Sequence, residues 1–431
     1  MKNRISSLTD SSALGGASRP DAAQYFPNLE KRNRRARVWQ KIFLASTIIG
    51  MVFLALLLAN ISNSAFGYVV LEAKVHPDDL ALNGVPLEEL DSAQLAQVFQ
   101  ANVSAGLYRR FDSEKPIAER SADGLLNLIR QWVIKPQVIR VYSLWDSILH
   151  GREIRAAAQD AEHPRAYARF MSWLDVQFLR NPQEAEPLRA GVRTAVLGSL
   201  WTIAIAILFA FPAGLGASIY LQEYAADNRL NRIIQTNISN LAGVPSIIYG
   251  LLGLAIFVRA MVNVTSGAFL GLAQGDAANG RTLLSAGLTL GLLILPMIII
   301  NAQEALKAVP FSLRQASMGL GATQWQTIWH HVLPAAMPGI LTGTILSISR
   351  AMGETAPLMV VGASTYITAD PSGPFSKFTT LPIQIYQWTS RPQDEFHSLA
   401  AAAIIVLLFV LLSLNAAAIL LRNRFSRTQN G

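Results

Sequence analysis

The chain has 431 residues, 51% of them hydrophobic and only 15% charged, a balance that suits a chain solvated by lipid rather than by water. Its formal net charge of +8 gathers at Lys31, Arg32, Arg34, Arg35 and Arg37, directly ahead of an apolar run. That placement fits an anionic membrane surface and argues against a nucleic-acid partner. With no cysteine, disulfides, thiolate metal sites and cysteine nucleophiles are excluded.

Residues 1–41 read as a polar, basic tail rich in Ser6, Ser7, Ser11, Ser12, Gly15 and Gly16. It lacks the early apolar core and small-residue cleavage site of a secretory signal, and is expected to be a disordered cytoplasmic segment. A helix rising about 1.5 Å per residue needs about 20 uncharged residues to cross a hydrocarbon core about 30 Å thick. Residues 42–60 supply the first such run.

Residues 61–193 carry charge throughout and read as a small periplasmic domain. Tyr68 to Val75 predicts a short strand, and Asp91 predicts the N-cap of an amphipathic helix reaching Ala105. Pro116, Pro136, Pro164, Pro182 and Pro187 punctuate the rest. His150 and His163 lack metal-site spacing, and no nucleophile, base and orienting acid stand together. A docking or regulatory surface is expected there, not an enzyme.

The region 194–421 holds further runs at 194–222, 233–258, 282–303, 334–367 and 398–421. All but the 334–367 run are free of Asp, Glu, Lys and Arg; that one contains Arg350 and Glu354. Six such runs argue against the buried helices of a soluble core and predict an all-α polytopic membrane protein. The basic cluster before Ile42 places the N-terminus inside, as do Arg229 with Arg232, Lys307 with Arg314, and Arg422, Arg424 and Arg427 for their own loops. Six spans then leave both ends cytoplasmic, the second being the tail 422–431.

The cytoplasmic loop 304–334 contains QASMGLGATQWQTIWHHVLP. Ser312 to Met318 predicts one short helix, Gly319 and Gly321 permit a turn with positive φ, and Thr323 can cap a second helix running to His331. An elbow with Leu320, Trp325 and Trp329 as anchors suits a groove on a partner, and it equally suits an amphipathic element lying on lipid. The loop resembles the signature of ABC importer permeases, Glu-Ala-Ala followed by Gly and then Leu-Pro. Gln315, Ala316 and Ser317 take the first places, Gly321 the glycine, followed by Ala322 and Trp325, with Leu333 and Pro334 at the end. Gln315 stands where the family carries an acid, which keeps a hydrogen bond but removes an ion pair. The resemblance implies the MetI-like, type I fold of six transmembrane helices and docking of an ATPase on this loop. No GxxxxGK[ST] phosphate loop occurs in the chain, so ATP and Mg are expected on a partner subunit and no cofactor on this chain.

NISNLAGVPSIIYGLLGLAIFV, SRAMGETAPLMVVG, LGASIYLQEYA and LPAAMPGILTG resemble the permease pair of the Pst phosphate importer, the GETAP form its PstA branch, over Gly191 to Leu421. The resemblance implies a homologous second permease, two ATPases and a periplasmic phosphate-binding protein as partners. Charge within the bilayer costs at least ~2.5 kcal/mol, so ionisable groups there usually face a pore or a partner. Arg350 and Glu354, four apart, are expected on one helical face. Two readings stand: Arg350 touches passing phosphate while Glu354 moderates the attraction, or the two merely neutralise each other so that the helix inserts. Thr355, Ser349 and Ser246 offer hydroxyls to the same path, or bond neighbouring backbone. Arginine also recognises sulfate and molybdate, so another oxyanion is an open substrate. A secondary transporter would show an internal repeat, and none is convincing; a phosphate-sensing scaffold is compatible with transport.

Overall fold

The computed structural model describes residues 29–82, 85–159, 163–271, 279–363 and 366–427. The expected tail 1–41, the expected domain 61–193, the 334–367 run and the tail 422–431 each fall partly outside them. The chain divides into two units, Met1–Asn60 and Ile61–Gly431. Helix α1, Leu29–Ala65, carries its basic residues in its first turns, followed by the apolar stretch predicted at 42–60. Phe43, Leu44, Met51, Phe53 and Leu57 are all exposed, as a helix clothed by lipid requires.

The insert carries the expected strand, at Phe66–Ala73, and pairs it with two others. Strands β1 (Phe66–Ala73), β2 (Pro136–Val141) and β3 (Tyr167–Ser172) form an antiparallel sheet with β1 in the centre. Aromatic and β-branched residues of β1 suit a strand buried among neighbours; Val69 faces Val141 on one side and Arg169 on the other. The helix predicted from Asp91 is α2 (Ser92–Asn102), and a second helix, α3 (Ala105–Glu114), follows it. Asp91 and Gln94 form a reciprocal capping box, and Ser104 caps α3, so the helix that periodicity alone would continue restarts at Ser104. With α4 (Ala122–Ile129), these helices bury Leu95, Phe99, Phe111, Leu125 and Ile129 in their own core.

The apolar region contains α5 (Arg193–Ile219), α6 (Arg229–Ala242), α7 (Ser246–Gly253), α8 (Leu283–Lys307), α9 (Phe311–Gly319), α10 (Gln324–Thr327), α11 (Leu333–Met352), α12 (Ala356–Val361), α13 (Leu381–Thr389) and α14 (Asp394–Arg427). Among the described residues five helices are long and apolar enough to cross a membrane, and a sixth crossing exists only if a bent pair counts as one. α5 and α8 pack through small residues. A Cβ on Gly287 would stand 2.6 Å from Ile205, and one on Gly291 2.6 Å from Phe209.

Two of the expected spans are broken. The 233–258 run is α6 and α7, which meet at 106° around Gly243 to Pro245. Pro245 has no N–H to give the carbonyl of Leu241, which accepts instead from the Val244 N–H at 3.0 Å and from the Tyr249 hydroxyl at 2.8 Å. The 334–367 run ends its first helix at Met352, is capped by Gly353, and restarts as α12. Pro357 forbids continuity, since its ring would meet the carbonyl one turn back. The two restarted helices then pack on each other: a Cβ on Gly250 of α7 would lie 2.7 Å from the Pro357 Cα. Gly250→Ala is therefore expected to lower stability by about 1–3 kcal/mol. Gly216→Ala, with open space at its Cβ, is the matched control. Thermal unfolding of the purified chain in detergent reads the difference.

Candidate translocation and coupling sites

The elbow is built by local chemistry. α9 ends at Leu320, Gly321 turns the chain with φ of +88°, and Thr323 caps α10 in a reciprocal capping box with Gln326. Gly319, expected to share the positive φ, stays helical. α10 does not stop at His331 as predicted. It runs through a π-turn, Ile328–Val332, into α11, so that Gln324 to Met352 is one rod in which Leu333 and Pro334 lie. Pro334 lies just past the π-turn, inside this rod.

One face of the elbow is open. Leu320 is 92% exposed, and Trp325 and Trp329 stack at 5.4 Å between ring centres with both rings exposed. Gln315 and Ala316 are exposed on α9, whereas Ala322 is half-buried. Ser317 points inward. Its hydroxyl meets that of Thr327 at 3.0 Å, both buried, and fastens α9 to α10.

The inner face is held by residues that sequence reasoning passed over. Arg314 forms a two-pronged pair with Glu223, at 3.2 Å from Nε and 2.7 Å from Nη2, and donates to the carbonyls of Val309 and Leu306 at 2.7 and 2.9 Å. The two side chains are 12% and 9% exposed. Gln324 donates to the Glu223 carbonyl, so the ends of α5 and α8 and both elbow helices converge on one guanidinium. The visible signal was a lone acid just past one apolar run and a base just before the Gln-Ala-Ser triplet. A cavity of about 550 Å³ lies under this clamp, lined by Glu223, Lys307, Pro310, Arg314, Met318 and Gln324.

At the helix breaks, Arg350 occupies the last turn of α11 and is half exposed. Its Nε is 3.6 Å from Oε1 of Glu354, and Nη1 lies 3.5 Å from Sδ of Met297 on α8. Glu354 is 19% exposed and stands beyond the end of the helix, so the pair does not share one helical face as predicted. Helix termination at Gly353 lets the acid fold back toward the arginine. Thr355 opens α12 without a side-chain cap bond, and Ser246 opens α7; both are half-buried. α7 and α12 pack together where Gly250 meets Pro357. Ser349 is separate from this group. Its hydroxyl reaches the Ile345 carbonyl at 2.8 Å and Asn415 Oδ1 on α14 at 2.6 Å, the role of a fastener between helices.

Comparison with known proteins adds relatives to this geometry. Residues 210–427 match the sequence profile of the family described as "Binding-protein-dependent transport system inner membrane component". The chain is 35% identical to the phosphate transport system permease protein PstA 1 of Mycobacterium tuberculosis over 238 residues, 55% of this chain and 72% of that protein. It is 33% identical to the phosphate transport system permease protein PstA of Pasteurella multocida, over 52% of this chain and 74% of that one. A probable ABC transporter permease protein of Bacillus subtilis, YqgI, is 31% identical over 50% and 68%. Among solved structures, the inward-facing MetNI methionine ABC transporter is similar with a TM-score of 0.41 and 19% identity, over 56% of this chain and 99% of that one.

Proposed function

Since the chain belongs to the binding-protein-dependent transport system inner membrane components, as a PstA-type permease subunit of an ABC importer, we propose that it forms half of a phosphate path and couples that path to ATP hydrolysis on partner subunits. The relatives' names point to phosphate as the cargo. Arg350 is the group that meets it, since a planar fork matches tetrahedral oxygens, and Glu354 at 3.6 Å keeps the attraction weak enough for release. Thr355 and Ser246 supply hydroxyls from the openings of α12 and α7. In this reading both chain ends and the elbow are cytoplasmic, and the insert 61–193 is periplasmic. A homologous permease completes the path, a periplasmic phosphate-binding protein delivers the anion, and two ATPases hold ATP and Mg.

The observation that carries this reading is the continuous rod from Gln324 to Met352. It joins Trp325 on the open face of the elbow to Arg350 at the helix break, about 38 Å away at 1.5 Å per residue. A displacement applied to the elbow by a closing ATPase therefore moves the arginine directly. The insertion groove accepts Gln315, Ala316, Leu320 and Trp325, while Ser317 and Thr327 keep the two elbow helices together. Nothing in this scheme requires the chain to bind nucleotide.

The test is uptake of labelled inorganic phosphate by cells whose own PstA-type permease is deleted and which express this chain with its partner subunits. Arg350→Gln is expected to lower uptake about tenfold, equivalent to about 1.4 kcal/mol. Excess sulfate and molybdate are expected not to compete, and depletion of ATP is expected to stop uptake. Unchanged uptake in Arg350→Gln removes the arginine from the path; competition by sulfate changes the substrate; uptake that survives ATP depletion rejects the class.

A further inference from the structure

Two short helices of the insert are tied to the last turn of α1. The first, Leu144–Leu149, is capped by Ser143 and seated by Ser147, whose buried hydroxyl donates to the Ser143 carbonyl at 2.6 Å and accepts from the N–H of Tyr68 in β1 at 2.7 Å. The side chain of Asn63, in the last turn of α1, accepts from the N–H of Trp145 at 2.8 Å. The second helix, Val176–Arg180, follows β3 and is capped by Asp175. It enters from Trp173, whose N–H donates to the Ala65 carbonyl at 3.1 Å, and its Phe178 turns inward against Trp388. Both helices therefore start beside the point where α1 gives way to β1.

Ser147 decides which way the first helix faces. Trp145, Ile148 and Leu149 stand at i, i+3 and i+4, one helical face, and with Ser147 turned to β1 that face looks outward. On the second helix Val176 and Leu179, three apart, look outward while Phe178 is buried. All five are exposed, from 46% at Leu179 to 70% at Leu149, an apolar patch of the kind that marks an interaction surface. What covers it follows from its attachment. α1 is apolar through Ala59 and then carries Asn60, Ser62, Asn63 and Ser64, the change of composition that accompanies passage from hydrocarbon into headgroups. A six-residue helix is about 9 Å long and the headgroup layer about 5–8 Å deep, so a helix that starts in this layer stays within reach of it. Tryptophan and large aliphatic side chains partition to that depth. We infer that the two helices rest in the outer leaflet, with Trp145, Ile148, Leu149, Val176 and Leu179 in lipid, and so moor the insert to the bilayer surface. The inference rests on the proposed function only for the side of the membrane; the lipid contact follows from α1 as a crossing helix.

The test uses the purified complete importer in phosphatidylcholine nanodiscs. This chain has no cysteine, so once any cysteines of the partner subunits are replaced by serine, Ile148→Cys and Leu179→Cys, made separately, each carry a single fluorophore. A nitroxide placed high on the lipid acyl chain is expected to remove most of the emission at both positions, and iodide in the water little of it. Iodide quenching equal to or above that of the nitroxide overturns the inference, because the patch then faces water. Protection from both quenchers overturns it as well, because a protein then covers the patch. Val176→Cys replaces either form if it fails to assemble, and retained phosphate uptake by the labelled importer verifies the fold. If the labels sit in lipid while the native importer takes up no phosphate, the phosphate-transport reading fails and the mooring stands; normal uptake with labels open to iodide has the opposite meaning.

Discussion

Arg314→Ala is expected to abolish coupled uptake and to destabilise the chain by about 3–5 kcal/mol, because removing one member of a buried pair leaves the other charge uncompensated. Here the loss is compounded. Glu223 keeps its carboxylate at 9% exposure, and the carbonyls of Leu306 and Val309 lose the hydrogen bonds from Arg314. The clamp is also the place where the elbow grips α5 and α8, so its removal disconnects those helices from the motor even in molecules that remain folded. Stability and coupling are separable by the paired substitution Arg314→Met/Glu223→Met. Burial of two apolar side chains is expected to recover much of the thermal midpoint, while uptake stays low and ATP hydrolysis by the reconstituted importer continues without transport. Uptake that returns together with the midpoint would show that the clamp only holds the fold.

Gly321→Val is expected to strip the ATPases from the purified complex. The residue has a φ of +88° and open space around the position of a Cβ, so no clash contributes and the whole effect is conformational. A side chain in the left-handed region costs about 1–2 kcal/mol, and a β-branched one is a stronger outlier. The elbow relieves that strain by opening, which separates the exposed Leu320 from the Trp325–Trp329 stack and spoils the shape offered to a groove. Gly319→Ala is the control, two positions earlier, equally open, but helical. It is expected to leave assembly intact and to add about 0.5–1 kcal/mol of helix stability. The amount of ATPase that copurifies with each form, measured at equal permease, decides the matter.

The legibility of these features followed the range of the interactions behind them. Apolar runs reveal spans because hydrocarbon solvation acts on every residue of a segment, and the Thr323 cap and Gly321 turn are local enough to read directly. Pro245 and Pro357 were equally visible, yet they lay inside runs whose hydropathy never dips. Hydropathy counts side chains and is blind to a missing N–H. The repair of the first break by Tyr249 depends on a hydroxyl meeting a carbonyl eight residues earlier across a bend, which no periodicity encodes. Arg314 and Glu223 are 91 positions apart, and only the packing of α5 beside α8 joins them. Of the two roles sequence leaves open to Ser349, the structure shows bonding within and between helices, to Ile345 and Asn415, which depends on packing that sequence does not display.

The close seat of Pro357 against Gly250 has a mechanical meaning for α7 and α12. Backbones in such contact do not slide past one another without opening a void, so the two short helices swing as a single leaf. Each follows a break in its chain, at Gly243 to Pro245 and at Gly353 to Thr355. A force that displaces one of the two short helices is therefore expected to carry the other with it.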